Sequence, residues 1–179
     1  MSDRLTIAGL AILLLTAGSN AFAQAVASGK NEVETDFTFS SSTLTGVDSN
    51  RTNDYRWRLT YGRFITDRFA IGPVFSIRND ERNNTKPVNI GGLARFYIGD
   101  PDGRAIPFVE VSSTRTFNQV IEPNYIDLQV SAGLVFPMGD TGGRFRIAPY
   151  YYHSSHDALI TGYSYFHSFG VSWSVGLLF

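Results

Sequence analysis

From about residue 31 onward the chain alternates apolar and polar residues with a period of two, and the alternation is cleanest in the last eighteen residues, Gly162 to Phe179. Phe169, Val171, Trp173, Val175, Leu177 and Phe179 hold the odd positions there; Ser168, Gly170, Ser172, Ser174, Gly176 and Leu178 hold the even ones. One face is apolar and the other mostly small and polar, over at least the roughly 9 to 11 residues that a tilted transmembrane strand needs. Seven further segments of this kind fall at about 31–41, 55–65, 69–78, 88–98, 106–117, 125–136 and 144–153. Short period-two runs separated by turn-formers predict an all-β meander. Pro73, Pro107 and Pro149 are blemishes in it, because proline removes a ladder donor and prefers edges or bulges.

The connections alternate in length. Residues 66–68, 99–105 and 138–143 are compact and rich in Gly, Asp and Pro, whereas 42–54, 79–87, 118–124 and 154–161 are longer and more polar. In an up-and-down barrel alternate connections share a rim, so one rim carries short turns and the other long loops, as outer-membrane barrels do. A soluble lipocalin-type barrel also alternates, but it turns its apolar face inward around a ligand. Here the polar face is built of Gly, Ser and Thr with charges on most strands, which suits a tight lumen. Aromatic residues such as Tyr55, Tyr61, Phe69, Phe96, Phe145, Tyr151 and Phe179 fall near strand ends, where interfacial girdles sit. The expected fold is an eight-stranded antiparallel up-and-down transmembrane β-barrel.

Composition and the N-terminus place that barrel. Lys plus Arg number 15 and Asp plus Glu 16, so the net charge of -1 gives no electrostatic case for nucleic-acid binding. With no cysteine in the 179 residues, disulfides, thiolate metal sites and cysteine nucleophiles are excluded. A basic start at Arg4, an apolar run from Ile7 to Ala17 and the small residues of Ala21-Phe22-Ala23 predict a signal peptide cleaved after Ala23. The apolar run is too short to span a bilayer as a helix. The expected division is a signal peptide at 1–23, a short periplasmic segment at 24–30 and the barrel at 31–179, resident in the outer membrane of a Gram-negative bacterium.

The inward parity collects charge. Glu32, Glu34, Asp36, Glu110 and Asp127 share the predicted lumen with Arg56, Arg58, Arg78, Arg95, Arg144 and Arg146. A buried charge without its partner costs about 3 to 5 kcal/mol, so near-equal numbers predict a network of pairs. Glu34, Asp36, Arg56, Arg58, Arg95, Glu110, Asp127 and Arg146 are its expected members. Side chains just fill the interior of eight strands, which favours a plugged lumen over the alternative of a small pore.

The run Tyr61-Gly62-Arg63-Phe64-Ile65-Thr66-Asp67-Arg68-Phe69-Ala70-Ile71-Gly72 resembles the strand, short turn and strand of small bacterial outer-membrane β-barrel proteins of the OmpX or OmpA-barrel type. Residues 31–41, 106–113 and the final Phe179 are similar to that family's first, fifth and last strands. The resemblance implies an assembly signal at Ser172, Ser174, Leu177 and Phe179, read by the barrel assembly machinery. Ser174 stands where that signal usually has glycine. The partners it further implies are outer-membrane lipid and lipopolysaccharide, with an extracellular ligand to be met at loops 42–54, 79–87, 118–124 and 154–161.

One stretch hints at chemistry. His153-Ser154-Ser155 resembles the His-x-Ser element of outer-membrane lipid A deacylases, whose histidine and serine work with a glutamate. A serine nucleophile needs a base and an orienting group. The eighth strand offers His167 and tyrosines but no carboxylate, and Asp157 sits in a loop. His153 and His156 fall on opposite faces if extended, so no shared metal ion is expected from them. No phosphate-binding or dinucleotide-binding motif is present, and no cofactor is expected. The sequence thus favours a non-enzymatic envelope-structural protein with a surface-adhesion role, against the alternatives of a deacylase-like hydrolase using His153 and Ser155 and of a small pore.

Overall fold

The computed structural model describes residues 29–43, 51–79, 86–99, 103–117, 125–139, 142–156 and 165–179. The expected signal peptide at 1–23, most of the 24–30 segment, all of loop 118–124 and residues 44–50, 80–85 and 157–161 of the other three long loops lie outside the described residues. Eight strands follow in chain order: β1(Asn31–Thr43), β2(Arg51–Thr66), β3(Phe69–Asn79), β4(Val88–Tyr97), β5(Ile106–Phe117), β6(Tyr125–Met138), β7(Gly143–His156) and β8(Tyr165–Leu178). Each pairs antiparallel with its neighbours in sequence, and β1 pairs with β8 to close the barrel. The closing seam is completed by reciprocal backbone bonds, Asn31 N–H to Phe179 O at 2.7 Å and Phe179 N–H to Asn31 O at 2.8 Å. The seam is paired from Glu32↔Leu178 to Ser40↔Gly170, which leaves no open edge across that span, as a bilayer demands.

The strands of the long-loop rim run further than alternation predicts. Thr43 pairs with Arg51, so β1 and β2 take residues from both ends of the expected 42–54 loop. Tyr125 pairs with His156, which places Ser154, Ser155 and His156 in β7 and not in a loop. The reason is that a ladder is held by backbone groups, which continue to pair where side chains have ceased to alternate.

Alternation sorts the side chains without exception in β5: Ile106, Phe108, Glu110, Ser112, Thr114 and Thr116 are buried, and the residues between them exposed. Outside, apolar residues such as Ile90, Ile126, Val171 and Trp173 are bare. Cross-strand rings lie over this face, Phe37 on Trp173 at 5.4 Å between centroids and Tyr151 on Phe169 at 4.9 Å. The Trp57 indole N–H, which hydrocarbon could not satisfy, donates to Thr35 Oγ1 at 2.7 Å.

Of the four prolines in the strands, Pro73, Pro107, Pro137 and Pro149, two mark breaks in the wall. Between Thr60↔Val74 and Arg63↔Ile71 the β2–β3 ladder loses two pairs opposite Gly72 and Pro73, then resumes in the same register. Between Ser131↔Tyr150 and Leu134↔Ile147 the β6–β7 ladder does the same at Ala148 and Pro149. A glycine lies at each break: a Cβ on Gly72 would fall 1.8 Å from Tyr61 O, and one on Gly133 2.1 Å from Ile147 O. Pro107, by contrast, sits in an unbroken register opposite Leu134.

Other glycines of the wall make room for lumen side chains. A Cβ on Gly176 would lie 2.5 Å from Glu34 Cγ and 2.7 Å from Val33 O. Gly176→Ala is therefore expected to destabilise the barrel by about 1–3 kcal/mol through overpacking. Ala132→Val, on the outer face, should leave stability within about 0.5 kcal/mol. Urea unfolding in lipid vesicles measures both.

Candidate functional site

The lumen is layered. At the short-turn end an apolar floor is formed by Phe64, Ala70, Tyr97, Ile106, Phe108, Val135, Ala148 and Leu178, all buried. Phe64 stacks on Tyr97 at 5.4 Å, and Tyr97 meets Phe108 at 6.4 Å. The inward parity of these residues is present in the sequence, where charged residues share the same face. The available signal was a bulky apolar residue at an inward position next to each short turn.

On this floor stands the ionic layer. Alternation along β1 aims Glu32, Glu34 and Asp36 inward one above another, and β2, β4, β5 and β7 supply Arg58, Arg95, Glu110 and the pair Arg144 and Arg146. Arg95, 0% exposed, is held by three carboxylates. Its Nη1 donates to Glu32 Oε1 at 2.6 Å, its Nη2 to Glu34 Oε2 at 2.7 Å, and its Nε to Glu110 Oε2 at 2.8 Å. Glu110 is the reciprocal hub. Besides Arg95 it accepts from Arg58 Nη2 at 2.7 Å and from Arg146 Nη1 at 2.8 Å.

Asp36 takes Arg58 Nε at 2.5 Å and Arg146 Nη2 at 3.3 Å. Arg144 Nη1 stands 3.7 Å from Glu32 Oε2, whose other contact is the Tyr97 hydroxyl, donating at 2.6 Å. Four carboxylates and four guanidiniums thus form one formally neutral cluster. Neutral partners complete it: Ser112 accepts from Arg58 and Ser174 from Arg146. The guanidiniums of Arg95 and Arg146 also lie 5.6 and 5.1 Å from the Phe108 ring, coupling the ionic layer to the floor.

Of the eight residues expected to form the network, Glu34, Asp36, Arg58, Arg95, Glu110 and Arg146 meet in this cluster. Arg56 and Asp127 do not. They belong to a higher, mostly uncharged layer, where Arg56 donates to Gln129 Oε1 at 3.1 Å and its guanidinium lies 4.3 Å over the Tyr152 ring. Asp127 shares a hydrogen bond with Tyr152 in that layer. Glu32 and Arg144 join the central cluster, and Tyr97, which charge counting passes over, links it to the floor.

The expected assembly residues divide between the faces. Ser172 and Ser174 are buried in the lumen, the first donating to Ala148 O at 3.2 Å, while Leu177 and Phe179 face outward. On the outer wall His153 and Ser155 are half-buried side chains of β7. The Ser155 hydroxyl donates to Ile126 O at 3.3 Å. His153 Nδ1 lies 3.2 Å from Nδ1 of His167, its directly paired residue on β8, and the Tyr151 hydroxyl contacts the same His167 nitrogen. Asp157 and the His156 side chain lie outside the described residues.

Removing Arg95 takes one cationic partner from each of three buried carboxylates. Arg95→Met is expected to cost about 3–5 kcal/mol in urea unfolding. Combined with Glu34→Gln it should show a coupling energy of about 1–3 kcal/mol, because the second change removes one of the charges left in excess. Strictly additive losses would contradict a shared network.

No family model matches the sequence, and no curated protein does. Solved structures do match in three dimensions. Neisserial surface protein A superimposes with a TM-score of 0.58 at 12% identity, over 84% of this chain and 97% of that one. The N-terminal β-barrel domain of Pseudomonas aeruginosa OprF does so with a TM-score of 0.53 at 14% identity, over 87% of this chain and 100% of that one. Both are small outer-membrane barrels of eight strands. At these identities the likeness concerns architecture, and the chain has the fold of the small eight-stranded outer-membrane β-barrels.

Proposed function

We propose that this chain is an integral outer-membrane barrel with a closed lumen and a non-enzymatic, envelope-structural role. The observation that carries the closed lumen is the burial of Arg95 and Glu110 in a neutral cluster that rests on an apolar floor. An ion crossing this interior has to displace several charge-assisted hydrogen bonds and then pass a ring-lined constriction that water wets poorly. The bare apolar band outside supports residence among lipid and lipopolysaccharide. Leu177 and Phe179, outward on the closing strand, are available to the barrel assembly machinery. A surface-adhesion role belongs to the long loops, at the rim where β1, β2, β6 and β7 extend the wall.

A non-enzymatic reading is supported by the environment of the His-x-Ser element. The Ser155 hydroxyl is given to a backbone carbonyl, and His153 faces a second imidazole where a deacylase would need a carboxylate-oriented base. In planar bilayers the refolded protein is expected to give no long-lived conductance steps; stable open channels would overturn the closed lumen. Lipid A from cells with the protein and with Ser155→Ala should have the same acyl composition by mass spectrometry. Loss of an acyl chain that requires Ser155 would make the protein an enzyme.

A further inference from the structure

The cross-strand register of β7 and β8 places side by side two histidines that are fourteen residues apart in sequence. Both point outward, as does Tyr151 one position lower on the same face of β7. Three donor atoms converge there: His153 Nδ1, His167 Nδ1 and Tyr151 Oη. An imidazole nitrogen carries either one proton or one lone pair, so His167 Nδ1 satisfies only one of the two contacts it makes.

We infer that Tyr151, His153 and His167 form a binding site for a divalent transition-metal ion on the outer wall of the barrel. Tetrahedral zinc with bonds of about 2.0–2.1 Å to nitrogen holds two such ligands about 3.3 Å apart. The imidazole nitrogens here stand 3.2 Å apart before any ion is bound. His χ2 is a broad torsion, and on an exposed face each ring can turn its lone pair toward the shared point. Spacing along one strand separates His153 from His156; the pair that meets, His153 and His167, comes from two strands.

Among the described residues no three His, Asp or Glu side chains are grouped so as to hold a metal ion, so the phenol of Tyr151 is the third protein ligand and the remaining positions open outward. Nitrogen-rich ligation of this kind suits zinc, nickel or copper over magnesium or calcium.

Height in the membrane makes the site reachable. From Gly143 at the short-turn end to His153 a strand tilted about 40° rises roughly 26 Å, about the height of the apolar band. The site therefore meets water at the long-loop boundary. Apolar neighbours on the same face, Phe169 against Tyr151 below and Leu128 beside His153, keep part of its surroundings dry.

The test uses the refolded full barrel in detergent. Isothermal titration with zinc chloride is expected to show one ion per chain, with affinity weakened more than about tenfold by His153→Ala and by His167→Ala. With copper(II), electron paramagnetic resonance should report two nitrogen ligands, reduced to one in either variant. His153 and His167 face outward, and heat-modifiable migration on gels checks that each variant is folded. Absence of binding, or binding that survives both substitutions and is lost in His156→Ala, would overturn the assignment.

Discussion

Arg95 has no access to water, and everything around it follows from keeping its charge. A guanidinium in the middle of a narrow barrel is tolerable only if fixed carboxylates replace its hydration shell, and Glu32, Glu34 and Glu110 do so from two different walls. Those carboxylates then need cations of their own, which Arg58, Arg144 and Arg146 supply. Each pair considered alone would be a poor source of stability, since removing two ions from water costs about what their attraction returns. A closed circuit of eight changes that balance, because most ions face more than one partner of opposite sign and many of the polar atoms are hydrogen-bonded.

The apolar floor beneath gives this circuit its setting. Phe64, Tyr97 and Phe108 fill the short-turn end with rings and exclude water from one side of the ions, which strengthens the attraction among them. Tyr97 belongs to both layers, its ring in the floor and its hydroxyl on Glu32. The glycines opposite Glu32 and Glu34, Gly62 and Gly176, are as much part of the cluster as the charges, for the carboxylate stems lie across the space a Cβ would take.

Period-two alternation made most of this legible in advance. The eight strands, their parity and the sign of the lumen charges follow from which residues are apolar, because each side of a barrel wall meets a different solvent. Alternation is blind to height and to register. It could not separate Arg56 and Asp127 from the central cluster, since that depends on how far each strand is staggered against the next. It could not bring His153 to His167 for the same reason. Strand ends at the long-loop rim were also hidden, because Ser42, Thr43 and Arg51 to Asp54 pair through their backbones while the sequence there carries no apolar rhythm.

The two ladder breaks at Pro73 and Pro149 lie four strands apart and divide the wall into half-barrels, β3 to β6 on one side and β7 through β8 and β1 to β2 on the other. Sorted this way, Arg95 and Glu110 belong to the first half, and Glu32, Glu34, Asp36, Arg58, Arg144 and Arg146 to the second. The polar cluster is then a clasp between two shells, joining from within a cylinder whose backbone ladder is interrupted at one point along each of the two lines where the shells meet.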